Sequence, residues 1–250
     1  MRLVVLMAGD SAMFEVAGAK YPKNLIEIDG EPLVQRVIEG LRSAIDSASR
    51  PIFLVRQEEQ RRHHTADVIR LLVDDAEVIG VPTLSSGAAC TALHAIGQIQ
   101  REESLLISNG DQIIEAAIPE IIDGFEAAGL DAGTITFDAV HPRWSYVRAG
   151  ADGLVVEAAE KRPISRLATA GVYWFRRGGD FIDGVMSMIR KDASVDGAFY
   201  VCPVFNELVL TGRRIGTHHI ERERYFSLSS MHGVDVYEQH LSRQRQELAA

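Results

Sequence analysis

The sequence predicts an α/β fold organised around a mostly parallel sheet, and three observations support this. Continuous apolar runs at residues 3–7 and 51–55 lack polar alternation, which is typical of parallel strands covered on both faces. Apolar residues at helical spacing, as over 33–41, separate such runs, and strands alternating with helices indicate a parallel sheet. The pair Asp152-Gly153 is a hairpin signal, which predicts a small antiparallel excursion.

The elements follow one another along the whole chain. The predicted strands are residues 3–7, 51–55, 76–81, 104–108, 132–137, 146–148, 154–158, 169–175 and 214–220. The predicted helices are residues 33–41, 68–73, 118–125 and 181–189, a helix that the loop 82–91 runs into and that ends near residue 99, a short helix entered from the stretch 199–208, and the polar tail 236–250. No internal repeat, low-complexity linker or clear boundary interrupts this order, which favours one domain over residues 1–250.

Composition limits the classes of function. Of the 250 residues, 46% are hydrophobic and 24% charged, as in ordinary globular proteins, and the net charge is −9. This acidic balance disfavours nucleic acid and anionic membranes as partners. The two cysteines, Cys90 and Cys202, lie far apart without metal-ligand spacing, which favours a reducing cytoplasm. The first apolar run is too short for a signal peptide, and no stretch reaches the length of a membrane span.

The loop after the first strand is the first candidate site. Ala8-Gly9 and the small residues behind it let backbone N–H groups come close to a phosphate or a nucleotide ring. Lys23 follows Pro22, so a stiff turn presents a fixed cation for phosphates. The alternative is an ordinary glycine turn with a surface lysine.

Two later loops also have the character of ligand sites. The Ser/Gly-rich segment 82–91 runs into a helix, whose free N–H groups suit a base edge or an anion, or it is a plain strand–helix connection. Asp111 follows a buried strand, where open α/β sheets bind ligands. A carboxylate there is a natural Mg²⁺ ligand, although aspartate also caps turns. The adjacent pair His63-His64 predicts a solvated face, because neighbouring side chains diverge.

Together these parts resemble the sugar-phosphate nucleotidyltransferase family, and in particular its small capsular-polysaccharide and phosphocholine-cytidylyltransferase-like members. The likeness covers nearly the whole chain, and its parts occur in family order. They are Met7-Ala8-Gly9, Pro22-Lys23, Gly87-Ala88-Ala89, Asp111, Glu160-Lys161, Thr169-Ala170-Gly171-Val172-Tyr173 and Phe199-Tyr200-Val201-Cys202-Pro203. The resemblance implies a Rossmann-like, GT-A-like domain of three layers around a mixed sheet.

It also implies an activity and a set of site residues. An acceptor phosphate attacks the α-phosphorus of an NTP and releases pyrophosphate, with Mg²⁺ as cofactor and Lys23, Asp111 and Lys161 as catalytic residues. The implied nucleotide-binding residues are Met7, Ala8, Gly9, Ser86, Gly87, Ala88, Asn109 and Gly110. The implied acceptor-binding residues are Trp144, Tyr146, Glu160, Lys161, Gly171 and Tyr200. Asp111 is the implied metal ligand.

The chain departs from the family pattern in its first loop. The family has Gly-x-Gly-Ser-Arg-Phe, whereas Ser11 stands here for the second glycine and Met13 for the arginine that grips pyrophosphate. Asp10 adds a negative charge, and Asn24 replaces the proline after Lys23. The stretch 225–230, where larger members carry a second metal-binding aspartate, has no carboxylate. Lys20 either replaces the lost arginine or is solvated.

Three hypotheses follow. The first is an active nucleotidyltransferase for surface-polysaccharide or related biosynthesis, with CTP or UTP/dTTP favoured and a phosphorylated small molecule as acceptor. The second is a catalytically weakened relative that binds a nucleotide or metabolite and regulates a pathway. The third is a GT-A glycosyltransferase. Such an enzyme requires an Asp-x-Asp metal motif, and the chain has Asn109-Gly110-Asp111 at that place, without the first carboxylate. The base, the acceptor and the choice between monomer and homo-oligomer stay open.

Overall fold

The computed structural model describes residues 1–82 and 85–248; Thr83 and Leu84 of the predicted second loop, and Ala249 and Ala250 of the predicted tail, lie outside them. The strands are β1 (Arg2–Met7), β2 (Glu27–Ile28), β3 (Glu31–Pro32), β4 (Ile52–Arg56), β5 (Glu77–Val81), β6 (Leu105–Asn109), β7 (Gln112–Ile114), β8 (Ala132–Asp138), β9 (Ser145–Ala149), β10 (Val155–Glu160), β11 (Leu167–Phe175), β12 (Ile215–His219) and β13 (Tyr225–Ser227).

The helices lie between these strands. They are α1 (Ala12–Val16), α2 (Leu33–Gly40), α3 (Arg42–Asp46), α4 (Gln57–His63), α5 (Thr65–Leu72), α6 (Ala88–Ala92), α7 (Ile118–Ala127), α8 (Gly178–Arg190), α9 (Val204–Leu210) and α10 (Met231–Leu248). Short 3-10 helices occupy Lys23–Leu25, Leu93–Ala95 and Arg222–Arg224. No helix in the described part of the chain is both long and apolar enough to cross a bilayer.

The central sheet is built outward from β1. β4 and β6 flank β1 in parallel, and β5 continues in parallel beyond β4. Beyond β6 comes β11, which runs antiparallel, and then β8 and β12, which are parallel to each other. The hairpin β9–β10 attaches through β9 to the first half of β11. The predicted α/β fold, with its mostly parallel mixed sheet and antiparallel excursion, is confirmed.

Side-chain alternation along the strands produces two cores. On β1, Leu3, Val5 and Met7 pack with α2, α3, α5, α7 and α10 on one face. Val4, between them, packs with α6, α8 and α9 on the other face. Because successive strand residues point to opposite faces, a run that is apolar throughout buries both sides. This explains why the sheet lies between two helical layers, as the resemblance implies.

The structure differs from the sequence-based expectations in several elements, among them the unpredicted α1, α3, β7 and β13. The polar stretch after β4 is the helix α4, and the tail helix α10 begins at Met231, five residues before the predicted start at 236. The helix after Gly87 ends at Ala92 and continues only as a 3-10 turn. The single-domain prediction for residues 1–250 stays a prediction.

A bulge in β11 brings the site together. The pairing of β11 with β8 shifts register between Thr169 and Tyr173, and Gly171 lies inside this shift with φ of 67°. A Cβ at Gly171 would collide with the side chains of Asn109 and Gln112. Glycine is therefore required here both by the backbone conformation and by the close approach of β6 and β7.

Replacing Gly171 with alanine is expected to destabilise the protein by more than about 2 kcal/mol, because backbone strain and steric collision add. Gly153 is a matched control, with φ of 78° and open space around it, so Gly153→Ala meets strain alone. That strain costs about 1–2 kcal/mol. Urea denaturation of both variants measures the difference. Equal losses would show that Asn109 and Gln112 move aside without cost.

Candidate functional site

The carboxyl ends of β1 and β6 meet at one edge of the sheet. The Gly110 N–H donates to Leu6 O at 2.9 Å, so the turn after β6 lies directly beside the end of β1. A Cβ at Gly110 would collide with Met7, so only glycine permits this approach. The loops that begin at Ala8 and at Asp111 are therefore neighbours, as expected for a ligand site at this edge.

An ion pair between a buried lysine and a partly exposed aspartate connects these two loops. Lys23 is only 6% exposed, and its Nζ donates to Asp111 Oδ2 at 2.7 Å. A Cβ at Gly9 would lie 2.9 Å from the Lys23 ammonium, so glycine lets the loop pass over the cation. Burial of an ammonium without a partner would be costly, and Asp111 offsets that cost. The pair fixes one cation and one carboxylate at the strand ends.

A buried polar network fixes Asn24, the residue that follows Lys23. Asn24 Nδ2 donates to Met7 O at 2.9 Å and to the two Glu59 carboxylate oxygens at 3.0 and 3.1 Å. Thr65 Oγ1 donates to the same carboxylate at 2.9 Å. Burial raises the pKa of Glu59 above its ordinary value of 4.5, while hydrogen bonds from Asn24 and Thr65 and the nearby Lys23 charge lower it. The Asn24 that replaces the family's proline thus serves a buried carboxylate on α4.

The second loop is fixed by the segment that follows α8. Gly87 has φ of 102°, and a Cβ there would collide with the Phe199 backbone. Phe199 N–H donates to Ser86 O at 2.7 Å, and Ala89 N–H donates to Phe199 O at 2.9 Å. The predicted nucleotide loop and the predicted acceptor segment around Tyr200 are therefore held together by backbone hydrogen bonds.

The hairpin β9–β10 supplies the opposite wall. Ser145 and Glu160 are paired across the hairpin, and Ser145 Oγ donates to Glu160 Oε2. Burial raises the pKa of Glu160, and the Ser145 hydrogen bond and the Lys161 charge lower it. The guanidinium of Arg143 lies 4.3 Å from the centre of the Trp144 ring. This wall combines a carboxylate, an aromatic face and a guanidinium.

Tyr225 closes the cavity on the side of β13. Its ring stacks on Phe137 at 4.5 Å, and its hydroxyl donates to Gln112 Oε1 at 3.5 Å. Ser227 and Ser229 continue the same wall, and Leu228 N–H donates to Asp111 O at 2.8 Å. The stretch 225–230 therefore does lie beside Asp111, and it contributes hydroxyl groups where larger family members have a carboxylate.

These walls enclose a cavity of about 560 Å³. The predicted site residues that line it are Ala8, Gly9, Lys23, Gly87, Ala88, Asn109, Asp111, Trp144, Glu160, Gly171 and Tyr200. The predicted residues that do not line it are Met7, Ser86, Gly110, Tyr146 and Lys161. The structure thus brings most of the predicted site residues together in one cavity and leaves these five outside its lining.

The residues outside the lining have evident structural roles. Tyr146 is fully buried and its hydroxyl donates to His141 O at 2.7 Å, so as a predicted acceptor contact it is corrected to a packing residue. Met7 is likewise a core side chain. Lys161 lies at the rim with its Nζ 5.3 Å from the Tyr200 ring centre and 3.8 Å from Asp196 Oδ2. Tyr200, then Asp196 and Glu160, raise the pKa of Lys161.

Sequence reasoning missed part of the lining. Residues outside the predicted site set that line the cavity include Leu6, Asp10, Ser85, Thr91, Arg143, Ser145, Thr169, Tyr173, Tyr225, Ser227 and Ser229. Period-two alternation could have found Ser145, since it shares a strand face with the buried Val147. No sequence signal pointed to Glu59, because a glutamate among the polar residues of α4 resembles a solvated side chain.

The residues around Asp111 can supply one carboxylate ligand to Mg²⁺, but not a complete coordination shell. Asp111 has a quarter of its side chain exposed to the cavity, and Lys23 takes one of its oxygens. Among residues 1–82 and 85–248 there is no group of three or more His, Cys, Asp and Glu that could hold a metal. Mg²⁺ commonly uses one or two carboxylates and takes its other ligands from phosphates and water. The donor set therefore fits a cation that enters with a phosphorylated substrate.

The fold and the cavity define an α/β protein with an open cavity at the carboxyl edge of its sheet. The family model of the MobA-like NTP transferase domain matches residues 3–173, and the chain belongs to this family. Comparison with curated proteins finds no match. The predicted membership of the nucleotidyltransferases is confirmed.

Two solved structures resemble the chain over nearly its whole length. One is a nucleoside-diphosphate-sugar pyrophosphorylase from Vibrio cholerae RC9, with 23% identity, TM-score 0.83, and coverage of 95% of this chain and 99% of that chain. The other is a putative glucose-1-phosphate thymidylyltransferase from Bacillus anthracis, with 15% identity, TM-score 0.74, and coverage of 97% and 95%. At these identities the likeness establishes the fold.

The buried Glu59 makes a testable pH signature. A carboxyl whose pKa is raised by folding stabilises the native state fully below pH 4.5, and this contribution is lost as pH rises through the raised value. The free energy of unfolding of the wild type, relative to Glu59→Gln, should therefore fall as pH rises from 4.5.

Denaturant titrations at a series of pH values measure this difference. Glu58→Gln is the control, because Glu58 is exposed on the same helix and pairs with the exposed Arg62 at 3.2 Å. A wild-type advantage over Glu59→Gln that grows with pH would contradict the raised pKa.

Proposed function

We propose that the protein transfers a nucleoside monophosphate from an NTP to a phosphorylated small molecule and releases pyrophosphate. The main support is the ion pair between the buried Lys23 and the partly exposed Asp111, at 2.7 Å, in the lining of the cavity where β1 and β6 end. In this proposal Ala8, Gly9, Gly87, Ala88 and Asn109 bind the nucleotide, Trp144, Glu160, Gly171 and Tyr200 bind the acceptor, and the support is that all nine line the cavity. Family membership supports the reaction class.

The reaction requires positioning and charge neutralisation. An oxygen of the acceptor phosphate forms a bond to the α-phosphorus, and the bond from that phosphorus to the bridging oxygen breaks as pyrophosphate leaves. No protein nucleophile takes part, so a buried cation such as Lys23 contributes by stabilising charge on the phosphates. The Gly87 loop and the Phe199–Tyr200 segment orient the two substrates, since backbone hydrogen bonds hold them together.

The charge of the cavity supports a requirement for Mg²⁺. Its charged lining consists of Asp10, Asp111 and Glu160 against Lys23 and Arg143, so negative charge is in excess. A triphosphate would be repelled from such a lining unless a divalent cation accompanied it. We therefore infer that Asp111 holds Mg²⁺, which when bound neutralises charge on the phosphates.

The first loop favours a retuned enzyme over a degraded one. Ser11 is 4% exposed, and its Oγ accepts from the Lys23 backbone N–H at 3.1 Å, so it positions the catalytic lysine. Met13 is 67% exposed on α1 and does not line the cavity. Because the Ser11 side chain holds the Lys23 backbone, the change from glycine to serine in this loop has a structural role and does not indicate a degraded site. A regulatory binding role remains the second candidate, motivated by Asp10 and Met13.

The solved relatives narrow the acceptor class that we propose. One is named as a pyrophosphorylase of nucleoside-diphosphate sugars and the other as a thymidylyltransferase of glucose 1-phosphate. We accordingly propose a sugar phosphate as acceptor, UTP, dTTP or CTP as donor, and a biosynthetic role in the cytoplasm, such as supply of surface-polysaccharide precursors.

Loss of either member of the ion pair should abolish most of the activity. We expect Lys23→Met and Asp111→Asn each to lower kcat/KM by about a hundredfold or more, as removal of a charge stabiliser does elsewhere. Lys20→Met is the matched control, because Lys20 is exposed and lies outside the lining. Pyrophosphate release from UTP, dTTP or CTP with glucose 1-phosphate, with and without EDTA, measures this. Full activity of Lys23→Met would exclude the assigned role.

Restoring the family's first loop discriminates between the two candidates. In a retuned enzyme, Ser11→Gly combined with Met13→Arg should lower turnover, because the hydrogen bond to the Lys23 backbone is lost. Met13→Arg alone should change little, since the position faces solvent. The same pyrophosphate assay applies. A strong gain of turnover in the double variant would instead favour the degraded, regulatory protein.

A further inference from the structure

A second cavity, of about 390 Å³, adjoins the acceptor half of the site. It lies between α10 and the segment 222–230, and we call it the arginine cavity after Arg143, Arg222 and Arg243, which line it. Arg143, Tyr225 and Ser227 line both cavities. The two cavities are therefore adjacent and share the walls that these three side chains form.

The charge of the arginine cavity is opposite to that of the chain. The chain has 35 acidic residues against 26 lysines and arginines, yet Glu223 is the one carboxylate among the described residues of this lining. Arginines elsewhere have partners, such as Arg245 with Asp29 at 3.0 Å and Arg148 with Glu157 at 2.6 Å. None of the three cavity arginines has an ion pair within residues 1–82 and 85–248.

Two of these guanidinium groups are held in place. Arg222 Nη1 donates to Tyr225 O at 2.6 Å, and its guanidinium lies 5.1 Å from the Phe137 ring centre and 5.5 Å from the Tyr225 ring centre. Arg143 is stacked on Trp144. Cation–π contacts fix the planes while leaving in-plane N–H groups for a ligand. Such a fork matches the oxygens of a carboxylate or a phosphate.

We propose that the acceptor carries a second anionic group, a carboxylate or phosphate, which binds in the arginine cavity while its reacting phosphate lies in the main cavity. This rests on the proposed function and specifies its acceptor class. A ligand that extends past Arg143 from the main cavity enters the arginine cavity directly, because the two share that side chain. The same positive lining disfavours cationic acceptors such as phosphocholine.

The test compares acceptors that differ by one charge. Glucose 1-phosphate and glucuronic acid 1-phosphate share a ring and a reacting phosphate, and only the second has a carboxylate. The full chain should use glucuronic acid 1-phosphate with kcat/KM about tenfold or more above that for glucose 1-phosphate, the scale of one hydrogen bond to a charged group. Phosphocholine should be the poorest acceptor.

Variants at the cavity should remove this preference. Arg243→Gln and Arg222→Gln should bring the kcat/KM ratio of the two acceptors towards one. Arg243 is exposed on α10, so its variant tests the proposal even if Arg222→Gln, which loses contacts to Phe137 and Tyr225, fails to fold. Arg245→Gln, on the same helix but paired with Asp29, should keep the wild-type ratio. Equal use of both acceptors, or a ratio unchanged in Arg243→Gln, would overturn the proposal.

Failure of the enzyme proposal would be recognised separately. If no pyrophosphate is released with any nucleotide, calorimetry of the two sugar phosphates with wild type and Arg243→Gln still tests the cavity. Tighter binding of glucuronic acid 1-phosphate that is lost in Arg243→Gln would sustain the subsite. Binding of inorganic phosphate that depends on Arg243, with no preference between the sugars, would show a free-anion site and refute the acceptor proposal.

Discussion

The contact between the Lys23 ammonium and Asp111 sets the main constraint on this structure. Its two partners come from loops 88 residues apart in sequence, so they meet only because β1 and β6 pair in parallel and end together. Glycines at positions 9 and 110 are required on either side, because the ammonium and Met7 occupy the space of a Cβ. A lysine buried this deeply would be destabilising without its carboxylate, so the loops, the strand register and the charges depend on one another.

Glu59 extends this dependence into the helical layer. Burial raises the pKa of Glu59, and this effect is larger than the lowering by the nearby Lys23 charge. The Glu59 carboxylate also accepts hydrogen bonds from Asn24 and Thr65. Lys23 therefore interacts with two carboxylates, Asp111 in the lining of the main cavity and the buried Glu59. We infer that the second carboxylate holds the 3-10 helix Lys23–Leu25 in register with β1, since Asn24 also donates to Met7 O. The support of the site is polar and buried, which makes its geometry specific.

The sequence predicted the sheet well because buried parallel strands have an unmistakable pattern of unbroken apolar residues, as at 3–7 and 104–108. Each of Lys23, Gly87 and Asp111 has an ordinary structural alternative on its own, and it was their order along the chain, as in the family, that singled them out; the structure places all three in the lining of one cavity. The sequence could not predict Glu59, since burial of a polar helix residue depends on long-range packing. Tyr146 was misassigned because adjacent strand residues point to opposite faces, so that Ser145 lines the cavity and Tyr146 packs in the core.

The departures from the family pattern change how positive charge is distributed over the two cavities. On the side where pyrophosphate would leave, the first loop has lost an arginine and gained Asp10 in the lining. On the acceptor side, Arg143, Arg222 and Arg243 line a cavity in which Glu223 is the one described carboxylate. In the proposed reaction, the triphosphate would meet one cation, Lys23, beside Asp10 and Asp111, whereas three arginines line the cavity assigned to the acceptor. Since an interaction with the variable substrate discriminates and one with the common substrate does not, this distribution favours selection among acceptors. Because the first loop lacks the arginine, positive charge at the triphosphate would have to come from Mg²⁺, which binds through the phosphates of the substrate.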